Sequence, residues 1–230
     1  MVLELVAFDI ETTGFSVDDE VTAVGFAVPM GVRVFVQTGG RDADDVASQV
    51  SDRVPVHVQV TSHPTERALF EAVGSFTAER LQDDDVLLVA FNGERWKGGF
   101  DLPFLRTRLA RLEIEWPFRD VPYADLLPVI TRRFNTTVTS SDGNDAGVVS
   151  DDQGDLAGVY DVLCDGRYSD VDPFVESAEA VTAFDEGRFA DLVAHNAADV
   201  LRTRDLGRLA QWYCAKSEFS VKSLSPTVQR

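Results

Sequence analysis

The sequence predicts an α/β protein with a mixed central sheet, three antiparallel strands plus parallel ones, flanked by helices. Val- and Phe-rich runs punctuated by Gly, Asp or Pro occupy the first 37 residues. A helical pattern then a short apolar run follow, an order that calls for a crossover and hence parallel pairing. Helical spacing dominates the remainder. With 230 residues and 44% hydrophobic content, the chain is expected to form one domain.

The first strand is expected over Leu3 to Ile10, the second over Val21 to Val28 and the third over Val32 to Gln37. Pro29, Met30 and Gly31 make a tight turn, so the last two form an antiparallel hairpin. Arg41 to Asp52 is either loop or short helix, and Val54 to Val60 either strand or extended connection. Leu69, Phe70, Val73, Phe76 and Leu81 fall near helical spacing, predicting a helix from Pro64 to Leu81. Val86 to Phe91, bounded by Asn92 and Gly93, is a buried strand parallel to the first. Helices follow over Asp101 to Ile114 and Asp125 to Phe134, with Pro117 to Tyr123 a short strand or extended turn between them. Asn135 to Asp155 has no apolar period and is expected to be a mobile acidic surface insertion. Helical patterns resume at Leu156 to Cys164, Ser177 to Asp185 and Phe189 to Tyr213. This order resembles that of the RNase H-like fold.

Composition narrows the setting. No apolar stretch reaches membrane-spanning length, and the N-terminus lacks the basic segment and cleavage pattern of a secretory leader, so a soluble cytoplasmic protein without a membrane partner is expected. Cys164 and Cys214 lack ligand spacing and read as small packing residues rather than a disulfide framework or zinc site. The net charge is −18, and the only lysines are Lys97, Lys216 and Lys222. Such an Asp-rich, Lys-poor chain is similar to proteins adapted to a salt-filled cytoplasm, as in halophilic archaea. A rival reading is a protein that repels nucleic acid, although divalent cations in a cleft can invert the local field.

Phe8 to Gly14 is the most informative segment: an apolar strand ends by presenting Asp9 and Glu11, which alternation puts on one side. Two such acids repel each other and resist burial unless cations neutralise them, and an all-oxygen donor set suits Mg²⁺ or Mn²⁺. The plainer alternative is a solvated strand end. Asp101 opens a helix after Phe100 and before Pro103, where an N-cap is the plainer role. His195 and Asp199, four residues apart, share one helix face, as a surface pair would.

In order, "FDIETTG" at Phe8 to Gly14, "FDLPFL" at Phe100 to Leu105 and "HNAADV" at His195 to Val200 resemble the three motifs of the DEDD, or DnaQ-like, 3′-5′ exonuclease superfamily. The "DLLP" run from Asp125 to Pro128 adds a likeness to the proofreading branch of family B DNA polymerases, although Asp125 itself reads as a helix cap. One departure stands out: His195 sits at the spacing the family uses for tyrosine. The resemblance implies hydrolysis of phosphodiesters at single-stranded DNA or RNA 3′ ends with two Mg²⁺ or Mn²⁺ held by Asp9, Glu11, Asp101 and Asp199. It implies that Asp9 bridges the metals, that Glu11 and Asp199 hold one, that Asp101 supports the other through water, and that His195 is the general base. Thr12, Phe15, Asn92 and Phe100 would contact the substrate, Phe15 as a wedge against the terminal base or else as a core residue. Asn92 has the competing role of ending the strand. Trp96 and Lys97 lie in an additional loop that could meet the strand, and His57 and His63 read as surface residues. A structure-specific endonuclease and a non-catalytic nucleic-acid-binding or scaffold domain are the alternatives.

Overall fold

The computed structural model describes residues 3–82, 85–95, 100–141 and 148–228. Seven strands form one mixed sheet: β1 (Glu4–Thr12), β2 (Val21–Val28), β3 (Gly31–Gln37), β4 (Val58–His63), β5 (Val86–Ala90), β6 (Pro122–Asp125) and β9 (Lys222–Ser223). Their order across the sheet is β4-β3-β2-β1-β5-β6-β9. β1, β2 and β3 run antiparallel in succession, whereas β5 and β6 continue parallel from β1. The edges depart from the expectation: β4 begins later than Val54 and pairs parallel to β3, and β9 pairs antiparallel to β6.

Helices cover both faces. α2 (Glu66–Arg80) and α3 (Asp101–Leu112) contribute Leu69, Phe70, Val73, Leu102, Phe104 and Leu105 to a core over one face, meeting Val6, Phe8 and Ile10 of β1. The opposite face receives α1 (Val46–Ser51), α5 (Leu156–Cys164), α6 (Glu179–Asp185) and the long α7 (Phe189–Tyr213), which meet Leu5 and Ala7. Period-two alternation in β1 therefore sorts its residues cleanly between two cores. Thr65 caps α2 by accepting a hydrogen bond from Ala68 N, which starts the helix after Pro64.

Two segments differ from expectation. The short strand or extended turn expected at Pro117 to Tyr123 is a turn over 117–120 followed by a strand at Pro122–Asp125, and the following helix α4 is Leu127–Arg133, because Asp125 pairs with Ala90 as part of β6. Within the expected insertion, β7 (Thr137–Ser141) and β8 (Val148–Asp152) pair as an antiparallel ribbon, so its polar composition conceals regular structure; residues 142–147 lie outside the described residues. Cys164 and Cys214 are free, half-buried and packed against the core. Among the described residues no helix is long and apolar enough to cross a membrane.

Candidate metal centre

The row Leu5, Ala7 on β1 continues into Asp9 and Glu11, so the two carboxylates face the helix that the row packs beneath, α7. Their partners across β2 are small: Asp9 lies opposite Gly25, and Glu11 opposite Ala23. A Cβ on Gly25 would stand 2.0 Å from Asn196 Oδ1, so the missing side chain is what lets α7 bring Asn196 down onto the acids. Asn196 Nδ2 donates to Asp9 Oδ2 at 2.9 Å and lies 3.5 Å from Glu11 Oε1.

Asp101 arrives from the other side of the sheet. It is the first residue of α3, and Phe100 holds the N-cap position without a side-chain hydrogen bond, so Asp101 is not the helix cap. Leu102 N donates to Gly93 O at 2.9 Å, folding the loop after β5 back over the helix start. A Cβ on Gly93 would come within 2.8 Å of Asp101 Oδ2, so this glycine makes room for the carboxylate. Asp125 fastens the same loop: Oδ1 accepts from Asn92 N and Leu127 N, and Oδ2 from Glu94 N. Leu126 holds the N-cap position of α4, so Asp125 is not the cap expected from the sequence; as the last residue of β6 it supports the helix start through Leu127 N.

His195 and Asp199 project from successive turns of α7 toward Glu11. His195 Nε2 is 3.8 Å from Glu11 Oε1 and 3.8 Å from Asp199 Oδ2. Its Nδ1 is 2.8 Å from Asp172 Oδ1, and the Phe174 ring packs 5.1 Å away between centroids. Arg202 Nη1 donates to Asp172 Oδ2 and to Asp199 Oδ1, each at 2.7 Å. Among the described residues, Glu11, His195 and Asp199 form a group able to hold a metal ion, with ligand atoms within 4.8 Å of one another. Asp9 and Asp101 flank that group.

Crowding shows in the protonation preferences. Burial raises the Asp9 carboxyl well above its usual range, and Glu11, Asp101 and Asp199 push it the same way. Asp101 is raised by burial, Glu11, Asp125 and Asp199. Burial drives Glu11 up to about 7 with help from Asp199, against His195 and a hydrogen bond from Asn196. Burial opposes charge on His195, yet Glu11, Asp172 and Asp199 hold its pKa up at about 10. Asp172 is held low: burial would raise it, but His195 and Arg202 outweigh that. His195 and Arg202 thus stand against Asp9, Glu11, Asp101, Asp199 and Asp172, a donor set with charge to spare for cations.

The remaining sequence-derived candidates divide. Phe15 is 71% exposed, so it is no core residue, and its ring meets Phe100 edge-on with centroids 5.1 Å apart. Thr12 is buried and its hydroxyl donates to Gly14 O at 2.9 Å, a turn-holding bond. Asn92 has φ 61°, a left-handed turn ending the strand that asparagine tolerates better than most residues. Trp96 and Lys97 lie outside the described residues. His57 is exposed, whereas His63 is half-buried on β4 and stacks on Phe35.

Sequence reasoning passed over Asn196, Asp172, Arg202 and Gly25. Asn196 lies inside the third motif and was detectable as a polar residue one helical step from His195. Asp172, in the connection between α5 and α6, carries no local signal. The sequence matches no protein-family model, and no curated protein matches it.

Proposed function

We propose that the chain is a metal-dependent 3′-5′ exonuclease of the DEDD type, acting on single-stranded DNA or RNA ends. The observation that carries this reading is the convergence of Asp9 and Glu11 from β1, Asp101 from the start of α3 and Asp199 from α7 on one partly sheltered spot. The succession of three antiparallel strands, α2, a parallel β5 and then helices supports an RNase H-like reading of the fold. Two divalent cations, when bound, supply a nucleophile at neutral pH and charge stabilisation for the departing 3′ oxygen.

The chain's own residues do the rest. Asp9, Glu11, Asp101 and Asp199 would hold the cations, and their mutual repulsion without them is the reason cations fit. Asn196 steadies Asp9 through its amide, and Arg202 fixes the Asp199 carboxylate. Phe15, just beyond the Phe8 to Gly14 segment, and Phe100, immediately before Asp101, offer aromatic surface to an unstacked terminal base without reading its identity.

The test is a 5′-labelled single strand incubated with Mn²⁺ at high salt. Progressive shortening from the 3′ end is expected, and Asp9→Ala should reduce it by more than about 100-fold with an unchanged circular-dichroism spectrum. A single internal cut would identify an endonuclease instead. Full activity in Asp9→Ala would remove the site assignment.

A further inference from the structure

The imidazole of His195 stands among the carboxylates rather than above them. Its Nε2 lies 3.8 Å from both Glu11 Oε1 and Asp199 Oδ2, beyond hydrogen-bond reach of either. The three atoms nevertheless lie within 4.8 Å of one another, as donors round one cation do. The other ring nitrogen is already committed. Nδ1 meets Asp172 Oδ1 at 2.8 Å while Asp172 Oδ2 accepts from Arg202 at 2.7 Å. A carboxylate engaged by a guanidinium is acceptor-only, so Nδ1 carries a hydrogen, and Nε2 is the ring nitrogen directed toward Glu11 and Asp199, where a cation would take the place of its proton. Carboxylate–imidazole pairs of this kind orient histidine ligands and raise their basicity.

Helix spacing points the same way. An interval of four places His195 one turn from Asp199 on a single face, the geometry by which two side chains of one helix grip one ion. Arg202, one further turn along, bonds both Asp172 and Asp199 and so holds the ring's support and the carboxylate as one unit.

We propose that His195 is a direct metal ligand, completing with Glu11 and Asp199 a mixed nitrogen–oxygen site that takes Mn²⁺ in preference to Mg²⁺, with Asp172 positioning the ring. The inference rests on the metal-dependent reading above. It replaces the general-base role that the resemblance implied, because coordination occupies the Nε2 lone pair a base would use. The preference follows from donor chemistry: imidazole suits first-row transition ions, whereas Mg²⁺ favours oxygen donors and retained water.

The experiment adds Mn²⁺ alone to the full chain, without nucleic acid, and reads pulsed electron paramagnetic resonance together with Mn²⁺ and Mg²⁺ affinities. Imidazole-nitrogen modulation is expected in the unaltered protein. It should vanish in His195→Gln, which should still bind Mn²⁺ through its acids about 10-fold or more weakly, with the preference over Mg²⁺ reduced. Asp172→Asn should keep the nitrogen signal and weaken Mn²⁺ binding by about 10–100-fold. Bound Mn²⁺ without nitrogen modulation in the unaltered protein overturns the ligand role and leaves the exonuclease reading standing. Failure to bind Mn²⁺ at all overturns both.

Discussion

Gly25→Ala adds one methyl group where β2 and α7 meet. An alanine Cβ would lie 2.0 Å from Asn196 Oδ1, 2.9 Å from Asn196 Cγ and 3.2 Å from Val200 Cγ1. Asn196 is fully buried, so its amide has no solvent-filled space to swing into. Either the amide leaves Asp9, forfeiting a hydrogen bond to a carboxylate worth about 1.5–3 kcal/mol, or the helix lifts from the sheet at an overpacking cost of about 1–3 kcal/mol. Both routes centre on a destabilisation of about 2 kcal/mol, or ~4–8 °C in Tm for a chain of this size. The readout is thermal unfolding followed by circular dichroism, with Gly25→Ala/Asn196→Ala as the second arm of a double-mutant cycle. Removing the Asn196 amide removes the clash, so the double variant should be more stable than the sum of the single effects predicts. A Tm within about 2 °C of the parent protein, or strict additivity in the cycle, would refute the claim that this glycine exists to admit Asn196.

The protonation pattern sets a pH dependence. Glu11 is held at about 7 instead of 4.5, so its protonated form stabilises the metal-free fold below pH 4.5 and that contribution, about 3 kcal/mol, is lost as pH rises through 7. Asp9 and Asp101, also raised, act in the same direction. Metal-free Tm should therefore fall between pH 5 and 8, and added Mn²⁺ should raise Tm more at pH 8 than at pH 5; an equal gain at both would contradict this account. Arg108 clasps buried Glu66 with two hydrogen bonds, of 2.9 and 2.7 Å, and also donates to Val17 O. Arg108→Met strands that carboxylate and should cost about 3–5 kcal/mol in denaturant titrations, with Arg108→Met/Glu66→Gln recovering much of it. Phe15→Ala removes an exposed ring that packs only on the surface, so Tm should hold while KM for a single strand rises by roughly 5- to 100-fold, the worth of one stacked base.

Much of the scaffold was legible because it is coded locally. β2, α5 and α7 have the boundaries their periodicities predict, and β1 carries Asp9 and Glu11 on one side because alternation is a property of any strand. His195 and Asp199 share a face for the equivalent helical reason. Where hydrophobic pattern was weak, the reading slipped: Pro122–Asp125 is a strand because it finds an edge at β5, and the polar ribbon from Thr137 to Asp152 exists through its own cross-strand pairing. Neither can be seen without the partner strand.

The sequence by itself determined which residues face together along each element, and so nominated Asp9 with Glu11, and His195 with Asp199. Only the tertiary structure decided which pairs meet. Asn196 reaches Asp9 across 187 positions, Asp172 reaches His195 across 23, and Gly25 permits both helix and acids to close up by having no side chain. The physical reason is that a strand or helix propagates its own geometry over a few residues, whereas the distance between two elements is set by the side chains packed between them.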